Sequence, residues 1–226
     1  MFPFPFSFIV GVPDIPVEQI ANAQAMSFNG TDQYVDGSVV SQIGSSSSFT
    51  INLWSKSNTS TGFFSLFGIR QSTTDRILIF NSSNTNKLQF AIQNGINDYI
   101  VTSHSLSTTQ WEMITLTYNG SLSAGSRASV YINGSPISIT QPNLPTSVSA
   151  NMGTKPIYIG FQQDSGSGYY GGELDEVAIF NTALLGPKIQ QIYDATAVVG
   201  GVPQTANLFT GGLDTSLVYW NRMGDS

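Results

Sequence analysis

The chain contains no cysteine among its 226 residues. Disulfide bonds, thiolate zinc sites and cysteine nucleophiles are therefore excluded, and side-chain packing must stabilise the fold. A chain of this length can bury a sizeable core without cross-links. One domain is a better interpretation than two, because a single β-sandwich often exceeds about 200 residues.

Charge is also scarce, since only 10% of the residues are charged and the net charge is −6. The eight Lys and Arg residues form no cluster. A nucleic-acid-binding protein needs a basic stripe to meet the phosphates, so nucleic acid is not an expected partner. The same shortage of basic residues argues against binding to a membrane surface. Uncharged polar residues must cover this protein, as is common in extracellular and virion proteins.

The N-terminus is apolar, but it lacks the basic residues that begin a secretory signal peptide, because the first Lys or Arg is Lys56. Two prolines interrupt any helix there, and the apolar run is too short to span a bilayer. We interpret residues 1–24 as an extended apolar arm that is retained in the protein. Its phenylalanines are predicted to dock on a partner: Phe2, Phe4, Phe6 and Phe8.

Short segments of alternating apolar and polar residues, such as Phe49–Trp54 and Glu112–Tyr118, predict many β-strands. Asn-Gly pairs between them supply the positive φ of tight hairpins. The only predicted helix is Pro187–Tyr193, with proline in its first turn. Strands without intervening helices indicate antiparallel sheets. The predicted fold is an all-β, two-sheet jelly-roll sandwich over residues 25–195, with one short C-terminal helix and extended terminal arms. The last part, 196–226, is a glycine-rich tail.

Five motifs occur in the order typical of a laminin-G-like, concanavalin A-like jelly roll, a family that also resembles the pentraxins. The chain resembles this family over residues 25–194. The motifs are Phe28–Val35, Phe49–Trp54, Trp111–Gly120, Pro156–Gly160 and Gly172–Asn181. The resemblance implies a binding or structural module rather than an enzyme, and it does not name the ligand.

The segment Leu217–Asp225 resembles segments that follow such domains in marine phage structural proteins. This likeness predicts a non-enzymatic protein of the virion surface, a capsid decoration or fibre component made in the host cytoplasm. The arm and tail would bind other virion proteins, a homo-oligomer is expected, and the loops would contact a host-surface glycan. The alternative is a free extracellular carbohydrate-binding lectin. Longer relatives of this type continue past the tail, so a further C-terminal part is expected.

A third alternative is a jelly-roll glycoside hydrolase, because such enzymes carry several carboxylates on one strand. Retaining hydrolysis needs two carboxyl groups about 5–5.5 Å apart. Strand alternation places Glu173, Asp175 and Val177 on one face, and Glu176 on the other unless a bulge intervenes. The second carboxylate is then missing, so no catalytic residue is predicted. His104, the single histidine, is interpreted as a surface residue.

The resemblance also implies calcium as a possible cofactor, because relatives often hold Ca²⁺ between the opening hairpin and the closing acidic strand. The matching oxygen donors are Asn29, Asp32, Asp36 and Asp175. Calcium prefers six to eight oxygen ligands, including backbone carbonyls. The same Asn-Gly-Thr-Asp sequence is fully explained as a hairpin turn, which is the favoured interpretation.

A loop between the last two predicted strands combines amide, carboxylate and aromatic side chains, the groups that recognise sugars. The predicted glycan-binding residues are Gln162, Gln163, Asp164 and Tyr169. One of the two adjacent tyrosines is expected to pack inward at the start of the next strand. Trp54 and Trp111 are predicted to be core residues because they lie within or beside strands.

Overall fold

The computed structural model describes residues 16–20, 22, 24–96, 98–163, 166–196, 198–199 and 201–223. Some predicted binding residues lie outside the described residues: Phe2, Phe4, Phe6, Phe8 and Asp164. Among the residues that are described, no helix has the length and apolar character needed to cross a bilayer.

Most of the described chain forms β-strands, which we number along the sequence. They are β1 Gln19–Ile20, β2 Met26–Asn29, β3 Val35–Val39, β4 Ser48–Ser57, β5 Phe64–Arg70, β6 Asp75–Asn81, β7 Leu88–Asn94, β8 Ile100–Thr102, β9 Glu112–Asn119, β10 Ala128–Ile132, β11 Ser135–Ile137, β12 Ile139–Thr140, β13 Pro156–Ile159, β14 Gly171–Phe180, β15 Val198–Val199, β16 Val202–Pro203, β17 Thr205–Ala206 and β18 Leu217–Asn221. The α-helix α1 is Gly186–Ala195, and 3₁₀ helices lie at Ser41–Ile43, Ala124–Ser126 and Ala150–Thr154.

The strands form two large antiparallel sheets, which confirms the predicted two-sheet jelly-roll sandwich. Sheet 1 has the order β11-β10-β9-β4-β14-β18, and β2 also pairs with β14. Sheet 2 has the order β12-β8-β7-β6-β5-β13-β3. Two further pairs, β1 with β17 and β15 with β16, are short.

The main core lies between the two sheets. Alternate residues of each strand point into it, including Ile51, Leu116 and Ile179 from sheet 1 and Ile77 and Phe90 from sheet 2. Each of these side chains is fully buried. Burying a side chain of this size contributes about 1.5–3 kcal/mol, so this layer supplies much of the stability that a cysteine-free chain needs.

A second apolar layer covers the outer face of sheet 1. The predicted helix is present as α1, with Pro187 in its first turn. Its residues Ile189 and Ile192 are buried against Phe180 of β14 and against the tail residue Leu213. The helix therefore adheres to the sheet through one apolar side, as its sequence pattern predicts.

The turn between β10 and β11 shows how an Asn-Gly pair closes a hairpin. Asn133 has a φ of 51° and Gly134 a φ of 76°, so both central residues adopt the left-handed conformation of a tight type I′ turn. The strands that it joins pair in register from Ile132 with Ser135 to Val130 with Ile137.

The tail joins sheet 1. Its strand β18 pairs antiparallel with β14, from Val177 opposite Asn221 to Phe180 opposite Leu217. The tail strand β17 pairs with β1, which belongs to the predicted N-terminal arm. Sheet 1 thus extends beyond residue 195, and the two terminal segments meet on its outer side.

A β-bulge interrupts β14 at the acidic motif. The strand has one extra residue relative to β4 between Asp175 and Ala178, and Glu176 has a φ of 51°. A bulge of this kind re-aims side chains and bends its strand. Leu174 and Val177, on either side of the inserted residue, both point into the core between the sheets.

The bulge overturns the predicted alternation of this strand. Val177 was expected to share a face with Glu173 and Asp175, and it instead lies in the inter-sheet core. Glu176 was expected on the opposite face from Asp175. The extra residue shifts the alternation by one position, so Asp175 and Glu176 both lie on the outer side of sheet 1, where the arm and tail contact them.

Candidate functional site

The outer face of sheet 2 carries the groups best suited to ligand binding. In the strands of sheet 2, every second residue points into the core, so the side chains between those residues form the outer face. Its middle row runs from Tyr158 on β13 through Gly68, Leu78 and Ala91 on β5 to β7. The row of Arg70, Arg76 and Gln93 lies on one side of it, and Phe80 with Gln89 lies on the other. The face therefore combines an aromatic residue at its β13 end, a pair of arginines and a second aromatic residue beyond the apolar middle row.

One end is a cluster of four rings, which we call the aromatic patch: Tyr34, Tyr158, Phe161 and Tyr169. Phe161 and Tyr169 are stacked, with ring centroids 4.4 Å apart and planes 11° apart. Tyr34 lies 5.2 Å from Phe161 and 5.7 Å from Tyr158. Tyr34 is 43% exposed whereas Tyr158 and Phe161 are buried, so the patch presents one ring to solvent on a rigid aromatic base.

Two arginines lie beside the patch as direct cross-strand partners, Arg70 on β5 and Arg76 on β6. Arg76 donates hydrogen bonds to Gln93 Oε1 at 2.7 Å and to the Tyr99 hydroxyl at 2.7 Å. Burial lowers the pKa of the Arg76 guanidinium, and the nearby Tyr99 opposes that shift. Arg70 donates to Gln162 Oε1 at 3.3 Å. The side chains of Gln93, Tyr99 and Gln162 thus help to orient the two guanidinium groups.

The other end of the face contains a shallow groove of about 360 Å³. Its aromatic walls are Phe63, Phe80 and Tyr99, and Gln89 supplies an amide. The Phe80 ring packs edge-on against Tyr99 at 5.4 Å. Aromatic walls with a few amide groups are typical of sites for small polar ligands.

The structure brings two of the predicted glycan-binding residues to this face. Tyr169 belongs to the aromatic patch, and Gln162 is buried against Arg70. Gln163 is partly exposed beside them. Tyr170, the neighbour of Tyr169, is fully buried, which confirms that one of the two tyrosines packs inward. Its hydroxyl lies 3.0 Å from Ser55 Oγ, and burial raises its pKa.

The four predicted calcium ligands do not converge. Asn29 Oδ1 accepts hydrogen bonds from the backbone N–H groups of Thr31, Asp32 and Gln33, and its amide donates to Asp32 Oδ1 at 2.8 Å. Asn29 lies opposite Gly171, so Asp175 is four residues, or about 13 Å, farther along β14. Asp36 lies on β3 of the other sheet. These contacts are those of the hairpin-turn interpretation. In the described chain no group of acidic and histidine side chains is placed to hold a metal.

Two carboxylates of the acidic motif of β14, Asp175 and Glu176, are buried. Asp175 is fully buried and accepts a hydrogen bond from Asn22 Nδ2 at 2.6 Å. Glu176 is 3% exposed and accepts from Thr205 Oγ1 and from Trp220 Nε1, both at 2.7 Å. The arm and tail therefore use these carboxylates as attachment points on sheet 1.

The remaining candidate groups are engaged in local contacts. Glu173 forms an ion pair with Lys56 at 3.2 Å, in which each side chain is about one-third exposed. His104, which was interpreted as a surface residue, is partly exposed, and its Nε2 lies 3.0 Å from Glu112 Oε1. Trp54 and Trp111 are buried, as expected, although they lie on the outer side of sheet 1.

Several residues of the face were missed in the sequence. Tyr34 was interpreted only as part of the opening motif, and Phe161 was not selected as a site residue. The chain has only eight basic residues, so the closeness of Arg70 and Arg76 in the sequence could have marked them as a pair. Whether the two arginines pair across β5 and β6 depends on the length of the turn between these strands, which the sequence pattern did not define.

The fold is shared with solved structures of low sequence identity. A candidate carbohydrate-binding protein from Bacteroides ovatus matches with a TM-score of 0.62 and 16% identity, over 93% of this chain and 53% of that one. This chain therefore spans about half of that protein. A heptameric SAP-like pentraxin from Limulus polyphemus matches with a TM-score of 0.51 and 15% identity, over 94% and 93% of the two chains.

A third similar structure is the CBM40 module of the Ruminococcus gnavus IT-sialidase, bound to α2,3-sialyllactose. Its TM-score is 0.55 at 10% identity, over 78% of this chain and 96% of the module. None of the curated protein sequences matches this chain. A family model described as the concanavalin A-like lectin/glucanases superfamily, of the laminin-G type, matches residues 29–190. Since that match covers most of the sequence, this chain belongs to the concanavalin A-like lectin/glucanases superfamily.

Proposed function

We propose that this protein is a non-catalytic carbohydrate-binding module that holds its glycan on the outer face of sheet 2. The observation that carries the proposal is the aromatic patch. The Tyr34 ring is 43% exposed, yet Tyr158, Phe161 and Tyr169 surround it at ring distances of 5.2–6.2 Å. An ordered aromatic ring that faces solvent beside polar side chains matches the chemistry of a sugar, which has both C–H faces and hydroxyl edges.

The patch is organised before the ligand arrives. The stacked pair of Phe161 and Tyr169 holds the base of the patch, so binding would not have to order a mobile ring. A ring that is already ordered favours a higher affinity, since immobilising a flexible side chain on binding costs about 0.5–1.5 kcal/mol. Hydroxyl groups of the sugar would contact the amide of Gln163 and the guanidinium of Arg70 at the side of the patch.

Replacing Tyr34 by alanine tests this proposal. For a polysaccharide or glycan that the original protein binds, we expect the affinity of the variant to fall by about 30-fold. This loss is equivalent to about 2 kcal/mol, the cost typical of removing a central aromatic contact. Calorimetry or affinity electrophoresis on a glycan panel would measure the loss. The melting temperature should change little because Tyr34 is half exposed.

The matched control is Phe209→Ala. Phe209 is also an exposed aromatic residue, at 67%, but it lies beside Trp220 on the tail. Glycan binding should survive its removal. If Tyr34→Ala binds as tightly as the original chain, or if both variants lose binding equally, the aromatic patch is not the glycan site.

The absence of catalysis is part of the proposal. It is supported by the burial of Asp175 and Glu176 beneath Asn22, Thr205 and Trp220. Glu173 is the remaining carboxylate of the motif, and it is paired with Lys56. Several similar structures are binding modules rather than catalytic domains, which agrees with this interpretation.

We further propose that the module is displayed on a virion, where the arm and tail bind other virion proteins and the patch contacts a host-surface glycan. A specific arrangement favours display. The arm contacts the tail through β1 and β17, and both segments lie on the outer side of sheet 1. The aromatic patch belongs to the other sheet, so attachment and glycan binding would use opposite sides of the sandwich.

Deleting residues 1–16 tests the display role. We expect the shortened chain to fold and to bind the same glycan, because Val17 and the residues after it supply the described contacts with the tail. Incorporation into particles, or assembly into a homo-oligomer, should be lost. Normal incorporation of the shortened chain would contradict the anchoring role of the arm without affecting the glycan proposal.

A further inference from the structure

A second cavity lies on the outer side of sheet 1, beside the C-terminal half of helix α1. We call it the helix-side cavity, and its volume is about 630 Å³. This size is within the range of about 300–1,000 Å³ that is typical of small-molecule sites. Its lining includes Trp54, Lys56, Gln110, Trp111, Asn133 and Tyr193.

Three aromatic side chains form the walls of this cavity. Trp54 is stacked on Tyr193 with ring centroids 5.8 Å apart and planes 20° apart. Trp111 is held by a hydrogen bond of 2.9 Å from its Nε1 to the backbone carbonyl of Gly201. The cavity is therefore bounded by rigid, flat apolar surfaces whose orientations are already set.

Trp54 also carries a buried polar group without a partner. The residue is 1% exposed, and its indole Nε1 has no acceptor among the residues that the structure describes. A buried donor that makes no hydrogen bond costs about 1–3 kcal/mol. Such groups are rare in folded proteins, and a bound molecule or water beside the group would satisfy it.

The polar groups of the cavity are mostly neutral or already paired. Gln110 and Asn133 present side-chain amides at its edge. The two charged residues have partners: Lys56 binds Glu173 at 3.2 Å, and Asp194 accepts a hydrogen bond from Gln190 at 2.8 Å. Glu173 compensates the charge of Lys56, whereas the neutral Gln190 amide leaves the negative charge of Asp194 in place, so the cavity does not favour an anionic ligand.

We propose that the helix-side cavity binds a neutral sugar unit, as a second site separate from the aromatic patch. The partly exposed ring of Tyr193 would pack against the C–H face of the sugar, with Trp54 stacked against it and Trp111 buried in the wall of the cavity. The amides of Gln110 and Asn133 would bind the sugar hydroxyl groups. The cavity belongs to sheet 1 and the patch to sheet 2, so the two sites would be occupied independently. One module could then join two glycan chains, and the gain in avidity would not require any new contact.

Tryptophan fluorescence tests this proposal directly. Trp54 and Trp111 line the cavity, the third tryptophan, Trp220, lies in the tail, and the aromatic patch consists of tyrosines and a phenylalanine. We expect a saturable change of emission when lactose, cellobiose or maltose is added to the full chain at millimolar concentration. Glucuronic acid should give a weaker response, because the cavity does not favour a negative charge.

Two variants at exposed positions locate the response. Gln110→Ala removes one amide contact and should weaken the apparent affinity by about fivefold, the value of one hydrogen bond. Thr109→Arg places a bulky side chain at the rim and should abolish the response. Both residues are exposed, so the variants should fold, and an unchanged melting temperature would verify this.

Each outcome decides between the two sites. A response that Thr109→Arg removes and Tyr34→Ala retains supports the helix-side cavity. A response that Tyr34→Ala removes and Thr109→Arg retains overturns it, because the sugar then binds only at the patch. No saturable response to any neutral sugar also overturns it. None of these results changes the separate test of the aromatic patch by Tyr34→Ala against Phe209→Ala.

Discussion

The variant Glu176→Ala is expected to lose about 3 kcal/mol or more of unfolding free energy. Glu176 accepts hydrogen bonds from Thr205 and Trp220, and its carboxylate lies 3.8 Å from Arg222 Nε. Thr205 is fully buried. Without the carboxylate, the buried Thr205 hydroxyl and the Trp220 indole lose their acceptor, and the tail loses its main polar contact with β14. Urea unfolding would measure the change, and limited proteolysis would report release of the tail.

Glu173→Ala is the control for this experiment, since it removes another glutamate from the same strand. The ion pair of Glu173 with Lys56 is about one-third exposed on both sides. Solvent screens such a pair, so the expected loss is about 1 kcal/mol or less. Equal losses for the two variants would mean that the buried carboxylate does not fasten the tail.

The variant Gly172→Ala is expected to disrupt sheet 1. Gly172 has a φ of 142°, which disfavours residues with a side chain, and a Cβ there would lie 2.4 Å from the Lys56 carbonyl oxygen. That oxygen is backbone of β4, the neighbour of β14 near the centre of the sheet. The combination of strained φ and backbone overlap should cost about 3 kcal/mol or more. Thermal unfolding by circular dichroism would measure it.

Gly171→Ala is the matched control one position earlier in the sequence. A Cβ at Gly171 would meet Gly30 Cα at 3.4 Å, an ordinary contact. Its backbone conformation suits any residue, so the stability should change by less than about 1 kcal/mol. A mild effect of Gly172→Ala, similar to that of Gly171→Ala, would show that the two strands can separate at this point without loss of the fold.

The strands and the helix could be predicted because their signals are local. The alternation of Glu112–Tyr118 is a direct consequence of the pleat, and β9 is present at Glu112–Asn119. Pro187 indicated the start of α1, which begins at Gly186. The joining of Leu217–Asn221 to β14 was not predicted, because it depends on which sheet edge is available in the folded chain.

The candidate site was predicted only in part for the same reason. Tyr169 and Gln162 lie in a loop whose composition suggests sugar binding, and the sequence shows that composition directly. Tyr34 reaches the patch because β3 pairs with β13, a contact between distant parts of the chain. The bulge at Glu176 was equally hidden, since a glutamate with positive φ has no compositional signal of the kind that glycine gives.

The order of strands in sheet 1 has a consequence for how the protein is made. Strands β5 to β8 are joined by successive hairpins, so they can pair soon after synthesis. Strand β4 cannot complete its pairing until β9 and then the much later β14 have been synthesised. Non-local pairings of this kind form slowly. Until β14 emerges, one edge of β4 has no partner from its own sheet and is a template for pairing with another chain. The period of greatest aggregation risk is therefore set by the sequence distance between β4 and β14, rather than by the stability of the finished sandwich.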